Sequence, residues 1–324
     1  MNSDFSNKKY IIYADGGTNL GFGHLTRVLN LTKILKIKHS SIFLFDNLDQ
    51  QSFYKRQKVT SIHKNELPKK KYNLLIIDTK IEKSTILIDL RAFAKSTLVI
   101  DNLLIKKDLY NFMVLPSFFE NDKNVSPVSM IGEKIFIGPK YLILDPAIYD
   151  VVTPSKKNLI TITFGGSDPN NLTLFILKFL ESNISLKDVL VILGPGYKHD
   201  QSLLEEIINK NQIINNPKNI HDIFAKSFFV ITAFGVTLQE LFYLGVSAGI
   251  IANYKGDYDD YLKIESYFKD LNQRNPFTFV GTLHDINEKK MLDAIKNAKT
   301  KVQPSHSNQT CGSGWDTLRN KLLS

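Results

Sequence analysis

The chain has 324 residues, is 43% hydrophobic and carries a formal net charge of +9. This length and apolar content favour two globular domains over one. No apolar run reaches the roughly 20 residues of a membrane helix, the N-terminus is polar, and a single cysteine excludes an intramolecular disulfide framework or a cysteine-based zinc site. The lysines are not interleaved with aromatic residues, which argues against nucleic acid as a partner. We therefore expect a cytoplasmic protein.

Short apolar runs alternate with helical patterns through the first half of the chain. The predicted strands are Tyr10 to Ala14, Ser41 to Asp46, Asn73 to Asp78, Thr97 to Asp101 and Asn111 to Pro116. Between the first two, leucine and valine recur on one face of a helix that begins near His24. A strand, a helix and a second strand in this order predict a βαβ unit.

The alternation restarts after a predicted linker near Ile148 to Lys157. The predicted strands are Leu159 to Gly166, Asp188 to Gly194, Phe228 to Ala233 and Ser247 to Asn253, and the predicted helices are Leu172 to Phe179, Ser202 to Asn209, Val236 to Leu244 and Tyr258 to Phe268. We predict an N-terminal Rossmann-like domain in residues 1–150. Residues 151–324, with a short terminal helix, form the predicted C-terminal nucleotide-binding Rossmann-like domain. The predicted fold class is α/β, with two Rossmann-like domains facing a cleft, because such folds bind ligands at the carboxyl ends of their strands.

The loop "ADGGTNLGFGHLTR" follows the first predicted strand and opens the first predicted helix. Its glycines, including Gly21 and Gly23, allow a tight turn and a close approach to a ligand. The helix start offers N–H groups to an anion. His24 is a candidate general base, because histidine is suited to proton transfer near neutral pH. Arg27, one turn further on, either pairs with a nearby carboxylate or contacts substrate.

Other polar residues also follow predicted strands. Asp78 and Asp101 are ligand candidates at two strand ends, although aspartate at such positions is often only a turn former. The remaining histidines outside the glycine loops, His39, His63, His221, His284 and His306, are interpreted as surface residues.

The second half repeats the arrangement of strand, glycine turn and helix start. The candidate nucleotide-binding residues are Gly165, Gly166 and Ser167 in "TFGGSDPNNLT", Gly194 in "LGPGYKH", and Gly235, Val236, Thr237 and Glu240 in "TAFGVTLQE". The alternatives are a helix cap for Asp168, a structural turn around Gly194 and an exposed helical glutamate for Glu240. The helix start at Gly235 is suited to a diphosphate, and Glu240 to the diol of a ribose.

The pattern Asp15…Gly21-Phe22-Gly23-His24-x-x-Arg27 resembles the signature of the UDP-sugar hydrolases of pseudaminic acid biosynthesis and related spore-coat polysaccharide proteins. The three motifs of the second half and "GPKYLIL" fall where that family has comparable motifs. The resemblance covers roughly residues 10 to 280 and implies the glycosyltransferase-B fold. It implies that the C-terminal domain holds UDP, with the diphosphate at Gly235 to Thr237 and the ribose on Glu240. It also implies that His24 activates water at the anomeric carbon, without a metal or other cofactor.

Three departures from the family lie on its sugar side. Tyr13 stands where the family usually has arginine, and Asp78-Thr79-Lys80 replaces a segment that ends in tyrosine. Tyr254, Asp257 and Tyr258 stand where glutamine or asparagine usually faces the sugar. Asp15, Gly21, Gly23, Arg27, Asp78 and Tyr258 are the expected substrate-binding residues.

Two other functions stay open. One is a glycosyltransferase of the same fold, with a sugar or lipid-linked acceptor; peripheral membrane contact is expected only for this alternative, and residues 117–122 are its candidate docking loop. The other is a nucleotide-sugar-binding partner without catalysis.

Overall fold

The computed structural model describes residues 7–18, 20–79, 84–117, 135–154, 157–253, 256–270, 272–300 and 311–323. The chain divides into two compact units. The first comprises Met1–Pro146 and Gln309–Ser324, and the second comprises Ala147–Asn308. The predicted docking loop at 117–122, apart from Ser117, and Tyr254 lie outside the described residues.

The first unit contains a seven-stranded parallel sheet. Its strands are β1 (Tyr10–Ala14), β2 (Ser41–Phe45), β3 (Ser61–His63), β4 (Tyr72–Asp78), β5 (Ala94–Ile100), β6 (Phe112–Leu115) and β7 (Ile135–Ile137), in the spatial order β3-β2-β1-β4-β5-β6-β7. The helices are α1 (Gly23–Ile34), α2 (Leu48–Arg56) and α3 (Ser84–Arg91). The strand order reverses at β1, which places a topological switch point between β1 and β4.

Both faces of this sheet are covered. Along β1, Ile12 and Ala14 belong to one apolar cluster, while Ile11 and Tyr13 belong to another. This alternation follows from the two-residue period of a strand. It explains why the central strands are almost continuously apolar, as parallel strands buried on both faces must be.

The second unit repeats the topology. Its strands are β8 (Leu159–Thr163), β9 (Val189–Leu193), β10 (Ile213–Asn215), β11 (Ser227–Ala233), β12 (Ser247–Ala252), β13 (Phe277–Thr282) and β14 (Asp285–Ile286), in the spatial order β10-β9-β8-β11-β12-β13-β14. All neighbours are parallel except β13 and β14. The helices are α4 (Leu172–Glu181), α5 (Ser202–Glu205), α6 (Ile220–Lys226), α7 (Val236–Tyr243), α8 (Asp257–Asp270) and α9 (Glu288–Thr300). The predicted fold of two α/β domains with parallel sheets is confirmed, although α5 ends four residues earlier than predicted.

The terminal helix α10 (Trp315–Leu323) belongs to the first unit, so its predicted place in the C-terminal domain is wrong. Trp315, Leu318 and Leu322 are buried in the same cluster as Ile12. The Trp315 indole N–H also donates to the carbonyl oxygen of Leu142 at 3.0 Å. The helix follows the second unit in the sequence, but the burial of its three large apolar side chains stabilises its packing on the first unit.

Among the helices in the described part of the chain, none combines the length and apolar character needed to cross a membrane. The expected cytoplasmic location stays a prediction.

Candidate active site

His24 lies at the carboxyl end of the first sheet, next to its switch point. The loop between β1 and α1 is fixed by Asp49, whose Oδ2 accepts hydrogen bonds from the backbone N–H and the hydroxyl of Thr18, both at 2.7 Å. The Gly17 N–H donates to the Gly21 carbonyl at 3.0 Å. Gly21 has a φ of +77°, a conformation that favours glycine. Hydrogen bonds within the protein therefore hold this turn in shape.

His24 pairs with a buried carboxylate. Its Nδ1 lies 2.6 Å from Oδ1 of Asp78, the last residue of β4. The Asp78 side chain is fully buried, whereas that of His24 is 20% exposed. An ionised carboxylate only accepts hydrogen bonds, so this contact requires a proton on Nδ1, and a neutral imidazole then has its lone pair on Nε2. This is the tautomer that a general base requires.

Arg27 holds the carboxylate of Asp78 in place. Its Nε donates to Oδ2 and one terminal nitrogen donates to Oδ1, both at 2.7 Å, in a bidentate pair. Its other terminal nitrogen donates to Oδ2 of Asp101 at 2.7 Å. Of the two readings of Arg27, the structure supports carboxylate pairing. Burial disfavours the charge on Arg27, but the two carboxylates outweigh this effect and raise its pKa.

Arg27 and His24 keep the buried carboxyl group of Asp78 ionised. Burial alone would raise the pKa of Asp78, but Arg27 and His24 together lower it from 3.8 to about 2. Asp78 is therefore ionised at neutral pH. One guanidinium thus faces two carboxyl groups, those of Asp78 and Asp101.

Three residues predicted to bind substrate are covered. Asp15, Arg27 and Asp78 are at most 5% exposed. In this structure Arg27 and Asp78 are bonded to each other and the Asp15 side chain lies below the surface, so direct contact of these three side chains with substrate stays a prediction. Gly21 and His24 are half-buried and Gly23 is exposed, so these three face the carboxyl end of the sheet.

In the second unit, loops follow β8 and β11 at the switch point between these two strands. Gly165, with a φ of +73°, is exposed, and Gly166 is half-buried. Ser167 is only 5% exposed, and its contact with the nucleotide stays a prediction. Asp168 accepts hydrogen bonds from the N–H groups of Leu172 and Thr173, both at 2.9 Å, which supports its reading as a helix cap.

Gly194 has a packing role. A Cβ there would collide with the carbonyl oxygen of Gly165 and lie 2.6 Å from the Cα of Gly166. The Gly196 N–H donates to the Gly166 carbonyl at 2.7 Å. The turn after β9 thus packs directly on the turn after β8. The structural alternative for Gly194 explains it better than nucleotide contact.

We expect Gly194→Ala to destabilise the protein by about 1–3 kcal/mol, the usual cost of overpacking. Urea unfolding would measure this loss. Gly256→Ala is the matched control, because no atom lies within 4 Å of an added Cβ there. Equal stability of the two variants would contradict the packing role.

The helix start predicted to hold a diphosphate is accessible. Gly235 precedes α7 and is exposed, while Val236 and Thr237 are half-buried. The Leu238 N–H already donates to the Gly235 carbonyl at 3.0 Å. Helix geometry leaves the N–H groups of Val236 and Thr237 without intrahelical acceptors, and the helix dipole favours an anion there.

Glu240 is not the exposed glutamate of the alternative reading. Its side chain is 11% exposed, and its Oε1 lies 3.0 Å from Nε2 of His221 in α6. The interpretation of His221 as a surface residue is wrong, since it is 7% exposed. A lone histidine in a short helix gave no signal of this pairing.

Tyr258, in the first turn of α8, is 46% exposed. Its ring centroid lies 4.8 Å from that of Phe279. The neighbouring Asp257 is buried and accepts a hydrogen bond from the Asn253 N–H at 2.9 Å. Of the two residues of this segment that the structure describes, Asp257 and Tyr258, only Tyr258 is accessible, and its contact with a sugar stays a prediction.

No model of a known protein family matches the chain. An uncharacterized protein of Methanocaldococcus jannaschii is 28% identical over 79% of this chain, which spans 58% of that protein's length. The spore coat polysaccharide biosynthesis protein SpsG of Bacillus subtilis is 25% identical over 74% of this chain and 76% of its own length. The chain is thus similar to a protein of polysaccharide biosynthesis.

Solved structures share the fold over nearly the whole chain. The S. aureus protein MnaA, solved with UDP, has a TM-score of 0.55 at 12% identity and covers 97% of this chain and 96% of its own. A UDP-GlcNAc 2-epimerase of Methanocaldococcus jannaschii has a TM-score of 0.52 at 12% identity, covering 96% of this chain and 99% of its own. Glycosyltransferases also match. At these identities the likeness establishes the fold alone.

Proposed function

We propose that the protein hydrolyses a UDP-linked amino-deoxy sugar at the anomeric carbon, releasing UDP and the free sugar. The observation that carries this proposal is the 2.6 Å contact between His24 Nδ1 and the buried carboxylate of Asp78. A neutral histidine oriented in this way is a general base. A general base takes its proton from the attacking nucleophile, and water is the simplest nucleophile.

The chain's residues have separate roles in this reaction. His24 Nε2 takes a proton from water as the water oxygen bonds to the anomeric carbon. The bond between that carbon and the phosphate oxygen breaks, and UDP leaves with the electron pair. The N–H groups of Val236 and Thr237 at the start of α7 stabilise the negative charge on the departing diphosphate. Asp78 and Arg27 position His24 through their hydrogen bonds.

The nature of the substrate rests on similarity as well as on the site. The relative SpsG is named for spore coat polysaccharide biosynthesis, and MnaA was solved with UDP. The loop from Asp15 to Arg27 resembles that of the pseudaminic acid hydrolases. We therefore propose that the free sugar serves the synthesis of a nonulosonic acid such as pseudaminic acid, or of a surface polysaccharide.

Glycosyl transfer is the second candidate function. The exposed Tyr258 stands where the hydrolase family usually has an amide side chain, and the structures that share the fold include glycosyltransferases. The same His24 would then take its proton from a hydroxyl of the acceptor. The two functions differ in whether turnover occurs without an acceptor.

Acceptor-free turnover in ¹⁸O-labelled water tests the proposal. The protein would be incubated with UDP-linked amino-deoxy sugars, and UDP and sugar would be followed by mass spectrometry. Release of UDP with the label on the sugar is the expected result. Binding of UDP without turnover of any sugar would overturn hydrolysis and favour glycosyl transfer.

We expect Glu240→Ala to weaken UDP binding by roughly 10–100-fold, because hydrogen bonds from the ribose hydroxyls to a charged acceptor are lost. Isothermal titration calorimetry would measure the dissociation constant. Glu206→Ala is the matched control, since Glu206 is an exposed glutamate of the same unit. Equal UDP affinity of both variants would refute the assignment of the ribose to Glu240.

A further inference from the structure

His221 and Glu240 form a pair that neither the glycine loops nor the helix start explains. His221 lies in α6 and Glu240 in α7, and their side chains are 9% and 11% exposed. A carboxylate buried to this extent is costly unless it is hydrogen-bonded. The 3.0 Å contact between His221 Nε2 and Glu240 Oε1 supplies a hydrogen bond.

The contact fixes the chemistry of both groups. Because an ionised carboxylate only accepts hydrogen bonds, Nε2 of His221 carries a proton and donates it. The bond occupies one of the acceptor positions on Oε1. A carboxylate accepts about four hydrogen bonds through its two oxygens, so this bond leaves capacity on each oxygen. That capacity matches the two neighbouring hydroxyls of a ribose.

We infer that His221 is a positioning residue, which orients the Glu240 carboxylate toward a ribose 2′,3′-diol and so selects ribonucleotides over 2′-deoxyribonucleotides. This inference rests on the proposed function, in which Glu240 binds the ribose of UDP. A glutamate side chain has three rotatable bonds, and ordering it on binding weakens affinity. The hydrogen bond from His221 orders it beforehand.

Two amide substitutions at position 221 form a matched pair. In His221→Gln the amide nitrogen reaches approximately the position of the histidine Nε2, so the hydrogen bond to Glu240 is retained. In His221→Asn the amide nitrogen corresponds to Nδ1 instead, and the hydrogen bond is lost. Both side chains are polar and uncharged, and thermal unfolding would establish that each variant is folded.

Affinities for UDP and 2′-deoxy-UDP would be measured by calorimetry for the wild-type protein and both variants. We expect the wild-type protein to prefer UDP, and His221→Asn to bind UDP about threefold to tenfold more weakly, as expected for one side chain ordered on binding. Its preference for UDP over 2′-deoxy-UDP should shrink, while His221→Gln keeps it.

Three results would overturn the inference in distinguishable ways. An equal loss of affinity for both nucleotides in His221→Asn would show a structural role only. A wild-type protein that binds both nucleotides equally would remove Glu240 from the ribose, while leaving hydrolysis intact. A wild-type protein that binds neither would refute the proposed function itself.

Discussion

Replacement of His24 by alanine should lower the rate of UDP-sugar hydrolysis by about 10²–10⁴-fold, the usual contribution of a general base. The affinity for UDP should change little, because the residues proposed to bind the nucleotide belong to the second unit. The loss of rate follows from the surroundings of His24. The imidazole of His24 is paired with the buried carboxylate of Asp78, as a general base requires. Single-turnover rates and UDP titrations would measure the two quantities.

The matched control for this variant is His39→Ala, which removes an exposed histidine of the same unit. That variant should keep full activity. If His24→Ala retained the wild-type rate, His24 would be removed from the mechanism.

The second large effect is expected for Asp78→Asn, with a loss of hydrolysis of about 10²–10⁴-fold. The substitution keeps the shape of the side chain but replaces one acceptor by a donor. In either orientation the amide nitrogen meets an N–H group of Arg27, because both carboxylate oxygens of Asp78 accept hydrogen bonds from Arg27. The amide therefore disrupts the pair that positions His24, and the negative charge beside the Nδ1 proton is lost. Asp101→Asn is the control. Asp101 is half-exposed and is hydrogen-bonded to Arg27 rather than to His24, so the loss of hydrolysis in this variant should be much smaller.

Acid unfolding gives an independent measure of the same residue. The folded-state pKa of Asp78 is lowered to about 2, below its ordinary value of 3.8. Its ionised form therefore stabilises the fold above about pH 4 by about 2 kcal/mol, and this contribution is lost as the pH falls from 4 to 2. In Asp78→Asn this part of the acid dependence should be absent. An unchanged acid dependence would contradict the buried ion pair.

The local order of strands and helices could be predicted from the sequence. Buried parallel strands such as β1 and β4 are nearly continuous apolar runs, and α1 has its leucines on one face. The short edge strands β3 and β10 escaped prediction. Each has only three residues, too few for a period to be visible.

The candidate site could be predicted only in part, because its local pattern is visible in the sequence whereas contacts between distant residues are not. A glycine loop after β1 places His24 at a sheet end, and this follows from local pattern. The partner of His24 is 54 residues away along the chain, and only the register of β1 with β4 brings Asp78 beside it. The pairing of His221 with Glu240 likewise depends on how α6 and α7 pack, and the spacing of residues along the sequence does not indicate that packing.

The place of α10 has a consequence for how the protein is made. The first unit consists of two segments, with the whole of the second unit inserted between them in the sequence. During synthesis the inserted unit emerges complete, whereas the sheet that carries His24 must wait for Trp315 before its apolar cluster is covered. The nucleotide-binding half proposed here can therefore finish folding first, and an isolated fragment ending at Pro146 would expose a patch that the full chain buries.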